Sequence, residues 1–168
     1  MIDKPALLSA LRARIAEDLT ALKRRQKDIQ DGATHEESRS EHAKDTRATE
    51  QSYLARGLAE RVLDLTRTAK ALDALELADL AEGEEIAVGA LVEITADETD
   101  SSANVDPYET CFIVPGAGGI KLIHAGRRLR TVTPVSPLGR ALLGLCAGDQ
   151  SVFSTPGGKR SFEIVSVH

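Results

Sequence analysis

Aromatic side chains make up only 3% of this 168-residue chain, so a ligand pocket walled by rings is excluded and the core falls to Leu, Ile, Val and Ala. Cysteine is equally scarce. Cys111 and Cys146 each sit inside an apolar run, and no CxxC or His/Cys cluster at metal-ligand spacing accompanies them. That excludes a zinc ribbon or a disulfide framework and leaves two buried small hydrophobes in a reducing compartment. Positive charge is short as well: the formal net charge is -5, so the whole chain offers no basic footprint for nucleic acid and any contact with DNA or RNA must be local. No apolar run is long enough to span a bilayer, and the opening IDKPALLSALRARIAEDL breaks its hydrophobic residues with charge every few positions, unlike a signal peptide. A cytoplasmic address and no membrane partner are the expectation. No Ser/His/Asp elbow, phosphate-cradling loop or dinucleotide fingerprint occurs; GAGG at 116–119 lacks the helix that would let it hold phosphate.

What is present is periodicity of two kinds. Across 5–30, Leu8, Leu11, Ile15, Leu19, Leu22 and Ile29 recur at helical spacing with charges on the other faces, and Gly32 is the expected stop. A second pattern resumes near Ala43, and Leu58, Val62, Leu65, Ala69 and Leu72 alternate steps of four and three towards Leu80. Two long helices with narrow apolar stripes and a short polar link bury those stripes most simply against each other, as an antiparallel hairpin with arms about 40 Å long. The link is unusually polar: DGATHEESRSEHAKDTRATEQ, 31–51, holds six acids, three bases and two histidines. A tip so far from a core gains little by burial, so its charges are free for another use or form a plain solvated face.

Beyond Gly83 the period changes. The runs 86–96, 109–116, 118–124, 130–136, 150–155 and 160–167 are short, β-branched and separated by Gly, Pro, Asp and Ser, which predicts an antiparallel sheet. SPLGRALLG predicts a short helix with Ser136 as N-cap, Pro137 at its first position and Gly144 at its end. TPGG at 155–158 predicts the turn of a terminal hairpin. Tyr108, Phe112, Phe153 and Phe162 are counted as core, which argues against a prolyl isomerase, and GRRLR at 126–130 reads as an exposed sheet edge protected from aggregation. The architecture expected is therefore α+β: a hairpin over 1–82 and a sheet domain with a short helix over 83–168.

The run VTPVSPLGRALLGLCAGDQSVFSTPGGKRSFEIVSV resembles the end of the Gre transcript-cleavage factors of bacterial RNA polymerase. Ser136, Pro137, Arg140, Leu142, Gly144, Asp149, Val152, Thr155, Pro156, Gly157, Gly158, Phe162, Glu163 and Val167 carry the match. IAVGALVEI resembles the first strand of the same domain, and ATEQSYLARGLAERV resembles the family's second helix more loosely. Members of the family place an antiparallel coiled-coil hairpin before an FKBP-like domain, the arrangement already reached from the patterns. The resemblance implies a monomer that docks on RNA polymerase through the C-terminal domain, with Ser136, Pro137 and Arg140 in the docking segment, and that inserts its hairpin into the secondary channel. Lys23, Arg24, Arg25 and Lys27 would then face the 3′ end of the nascent RNA, the alternative being a solvated helix face.

In the family, an Asp and a Glu three residues apart at the tip help the polymerase hold a second Mg²⁺ and an attacking water. Here Glu41 falls on the Glu position, while Ser38 replaces the Asp. Glu37 and Glu41, four apart, are the substitute pair expected to serve as catalytic and Mg²⁺-binding carboxylates, in preference to Asp31, Glu36 and Asp45. His35 and His42, seven apart, fit no zinc motif. By itself the chain is expected to be no enzyme; the polymerase would supply the main active site. A non-cleaving channel modulator and a dimerising coiled coil are the two alternatives.

Overall fold

The computed structural model describes residues 3–36, 44–77, 80–81, 83–96, 108–124 and 126–168. These fall into two compact units, one spanning Ala10–Lys70 and the other combining Met1–Ser9 with Ala71–His168.

Helix α1 runs Lys4–Glu36 and α2 runs Lys44–Asp73. Asp3 starts the first: its Oδ1 accepts the Ala6 N–H at 2.9 Å, with Pro5 in the opening turn. Leu8, Leu11 and Ile15 are buried and Leu19, Leu22 and Ile29 half-buried; on α2, Ala55, Leu58, Val62, Leu65 and Ala69 are half-buried and Leu72 is buried. Both stripes keep the three-and-four step of a coiled-coil seam. Two helices joined by seven residues within one compact unit form the expected hairpin. Its boundaries differ from expectation. α1 continues through Gly32, because one interior glycine costs only about 1 kcal/mol against alanine and the helical hydrogen bonds continue. α2 ends at Asp73 rather than near Leu80, and the Leu75 N–H closes the end onto Leu72 O at 3.3 Å.

The second unit is built on a six-stranded sheet: β1 (Leu91–Ala96), β2 (Tyr108–Ile113), β3 (Lys121–His124), β4 (Arg127–Val132), β5 (Gln150–Thr155) and β6 (Gly158–Val167), in the order β3-β4-β2-β1-β6-β5. Four pairings are antiparallel, but β2 and β4 run parallel, with Cys111 beside Arg130. The purely antiparallel sheet is thus corrected to a mixed one. The reason is topological: the chain leaving β2 passes one strand position before turning down β3, and β4 returns into the gap between them. That same placement removes GRRLR from the edge, since β4 is an inner strand and β3 is the outer one.

One sheet face carries the core of Val92, Ile94, Cys111, Ile113, Val132, Phe162 and Ile164, covered by Leu138 and Leu142 of helix α3 (Pro137–Leu142). Phe153 packs on this core with its ring 5.9 Å from that of Phe162. Strand alternation turns Leu91, Phe112 and Leu129 to the opposite face, where they are also buried. Tyr108, by contrast, is 50% exposed and is no core residue: it stands at the first position of β2. Cys111 is fully buried as expected and Cys146 only half-buried, its Sγ donating to Gly83 O at 3.4 Å. Thr155 pairs with Gly158 around Pro156 and Gly157, the predicted terminal hairpin.

Candidate functional site

The three residues of the docking segment stand together on the first turn of α3. Ser136 caps that turn: its Oγ accepts the Gly139 N–H at 3.0 Å and donates to Thr133 O at 2.7 Å. Both roles of the hydroxyl are therefore spent inside the fold, and Ser136 shapes the segment from beneath. Pro137 at the first helical position and Arg140 one turn on are exposed. Arg140 Nη1 donates to Val135 O at 2.6 Å, which lays the guanidinium back over the loop. Val135 itself is 76% exposed. The outward surface of the segment is thus Val135, Pro137 and Arg140, and Val135 is the member that sequence reasoning missed; an apolar residue just before a helix cap gives no signal of its exposure.

Two glycines hold this shape. A Cβ on Gly139 would stand 2.0 Å from Thr133 O, so the backbone of 133 and the helix touch where only glycine fits. Gly144, with φ 80°, turns the chain out of α3 and donates its N–H to Ile86 O at 3.0 Å.

Lys23, Arg24, Arg25 and Lys27 on α1 are all exposed, but helix geometry does not gather them onto one side. At about 100° per residue, Lys23 and Lys27 share a side while Arg24 and Arg25 fan away from it. Among the described residues none of the four has an ion-pair partner. The tip acids Glu37 and Glu41, with Ser38 and His42, lie outside the described residues, and the side chains of His35, Glu36 and Asp45 do as well. Among the described residues no group of three His, Cys, Asp or Glu side chains is placed to hold a metal ion.

On the sheet, two arginines of GRRLR take partners from other strands, Arg127 from β1 and Arg130 from β2. Arg127 Nη1 lies 3.5 Å from Glu93 Oε1. Arg130 Nη2 donates to Glu109 Oε2 at 3.0 Å, while its Nε sits 2.5 Å from Oε1 as a charge contact without hydrogen-bond alignment. Burial pushes the neighbouring Cys111 thiol up from 9.0 to about 12, and the Glu109 carboxylate adds to that shift against the opposing pull of Arg130.

The structure is thus a helical hairpin and a mixed sheet unit with a serine-capped helix and a Pro-Gly terminal turn. The family model described as transcription elongation factor GreA/GreB, C-terminal, matches residues 125–168. Transcription elongation factor GreA of Methylobacterium nodulans is 31% identical over 128 residues, 76% of this chain and 71% of that protein. GreA of Rickettsia prowazekii is 29% identical over 128 residues, covering 76% and 69%. Among solved structures, Gfh1 of Thermus aquaticus is 21% identical with a TM-score of 0.39, covering 93% of this chain and 92% of that one. The chain belongs to the GreA/GreB family of transcription elongation factors. No described helix is long and apolar enough to cross a membrane.

Proposed function

We propose that this chain is a cytoplasmic accessory factor that binds bacterial RNA polymerase as a monomer, carries its hairpin into the secondary channel and stimulates cleavage of backtracked RNA. The observation that carries the reading is membership of the GreA/GreB family through a relative covered over 71% of its length. The α3 segment supports it by offering Val135, Pro137 and Arg140 as one preformed surface for docking on the polymerase. The two long helices of 33 and 30 residues support it, joined by a stretch whose sequence carries Glu37 and Glu41.

Glu37 and Glu41 supply hard oxygen donors, the type Mg²⁺ prefers. Two carboxylates cannot fill an octahedral shell, so the remaining ligands would be polymerase carboxylates and water. Glu37 and Glu41 would hold the ion, and the chemistry it would supply when bound is stabilisation of the negative charge that develops during phosphodiester cleavage. The chain's own residues deliver and orient; Lys23, Arg24, Arg25 and Lys27 meet RNA phosphates along the arm. On its own the chain cleaves nothing.

A second reading is favoured by one residue. Ser38 stands where the family's tip Asp is expected, and a serine hydroxyl adds no charge to a metal site. A factor lacking that carboxylate would fill the channel and retune the polymerase without cleavage. The two readings separate in an assay of backtracked elongation complexes with Mg²⁺, comparing wild type with Glu37→Ala and Glu41→Ala. Stimulation by the wild type that both variants lose supports cleavage; polymerase binding without stimulation selects the modulator.

A further inference from the structure

Strand β3 is the outermost strand on its side of the sheet, and its surface chemistry is uneven. Lys121 pairs across with Arg130, Leu122 with Leu129, Ile123 with Arg128 and His124 with Arg127. Antiparallel pairs alternate between hydrogen-bonded and non-bonded positions, and the Thr131 N–H bonding Ile120 O at 2.9 Å sets the phase, which makes Leu122–Leu129 and His124–Arg127 the bonded pairs. The N–H and C=O groups of Lys121 and Ile123 consequently point away from β4, towards the open side.

The side chains beside those groups are cationic and apolar. Lys121, Arg127 and Arg128 are exposed, and no acid occurs from Lys121 to Arg130. Glu93 and Glu109 answer Arg127 and Arg130, whereas Lys121 and Arg128 have no ion-pair partner among the described residues. Ile123, between them on the same face, is 77% exposed. Cations on an edge strand ordinarily discourage further pairing. Here, however, an isoleucine lies bare in the middle of the edge, so the edge is selective and not blunted.

We propose that β3 is a strand-addition site for an extended acidic segment of another protein, which pairs with the backbone of Lys121 and Ile123 and sets an acid against Lys121 and Arg128 and an apolar side chain against Ile123. Three features choose this occupant. The outward N–H and C=O groups match a peptide backbone and not a phosphate chain. The exposed Ile123 gives a nucleic acid backbone nothing to contact. A second copy of this chain would bring up a surface of the same sign, with Lys121 on the edge strand, Arg127 and Arg128 on the strand behind it and no acid from 121 to 130, so the two edges repel. The site does not depend on transcript cleavage.

The test titrates a capped peptide Glu-Ser-Val-Ser-Glu-Ser, which presents Glu and Val in turn on one face as Lys121 and Ile123 require, into the full chain at low salt, with amide exchange followed by NMR. Binding as proposed slows exchange at the Lys121 and Ile123 amides, leaves Leu122 and His124 unchanged, and weakens at least about tenfold in the double variant Lys121→Glu, Arg128→Glu. Both substituted side chains are exposed, so the variant folds. The proposal is overturned by unchanged exchange at Lys121 and Ile123, by equal binding to the double variant, or by an equally good Lys/Val peptide. A DNA duplex that perturbs the same residues more strongly reassigns the surface to phosphate. Protection that grows with protein concentration alone reassigns it to self-association.

Discussion

Replacing Gly139 by alanine isolates the contact that shapes the α3 segment. In an ordinary helix this change favours folding by about 1 kcal/mol, because glycine is the poorer helix former. Gly139 has no unusual φ to defend. Yet an added Cβ would meet Thr133 O at 2.0 Å, Thr133 C at 2.8 Å and Ser136 Oγ at 3.0 Å, where real Cβ contacts stay beyond 3.0 Å. The backbone at 133 must retreat by about 1 Å in a close-packed setting. Forced overpacking of this kind costs about 1–3 kcal/mol. The same retreat disturbs Thr133 O, which accepts both the Ser136 N–H at 3.0 Å and the Ser136 hydroxyl at 2.7 Å, so a further ~1 kcal/mol of capping is lost. The balance is a destabilisation of roughly 1–3 kcal/mol for the sheet unit. Urea unfolding with hydrogen exchange read at the β1 and β2 amides measures it unit by unit. A variant as stable as wild type at those amides would refute the reasoning.

Gly57 is the matching case of opposite sign. It lies inside α2 with nothing within 4 Å of an added Cβ, so Gly57→Ala should stabilise the hairpin by about 1 kcal/mol, seen as slower exchange of its neighbouring amides. For Cys111, the folded pKa of about 12 lies above the unfolded value of 9.0. Above pH 9 the unfolded chain releases a proton the folded one keeps, so stability is full below pH 9 and falls as pH rises towards 12. Cys111→Ala should flatten that part of the stability curve measured between pH 8 and pH 11; an unchanged slope contradicts the assignment. In the native protein an alkylating reagent at pH 8 should modify the half-buried Cys146 first and reach Cys111 only on unfolding, as peptide mass analysis will show.

Much of this fold was legible in the sequence, and the failures have physical causes. Periodicity located both arms of the hairpin, because Leu8, Leu11, Ile15 and Leu58, Val62, Leu65 must be shielded for the helices to persist. The Ser136 cap and the Thr155–Gly158 turn were legible because their chemistry is local. The persistence of α1 through Gly32 was not, since a single glycine's local cost is small against the helix around it. Nor was the parallel β2–β4 pairing, which depends on the route of the chain and leaves no trace in alternation. GRRLR looked like an edge because charge clusters at edges; the ion pairs to Glu93 and Glu109, 34 and 21 residues away, arise only from strand order. At the candidate site, Pro137 and Arg140 were legible by motif, while exposed Val135 and the close approach at Gly139 emerged only in three dimensions.

The central claim is that the tip of this hairpin reaches the active centre of RNA polymerase. It is tested most directly by replacing Mg²⁺ with Fe²⁺ in backtracked elongation complexes bound to the end-labelled chain, then mapping where locally generated hydroxyl radicals cut it. The account predicts cuts around Glu37 and Glu41 and protection of those positions when excess Mg²⁺ displaces the iron. Cuts confined to the sheet unit, or none in a complex shown to contain the chain, would contradict it.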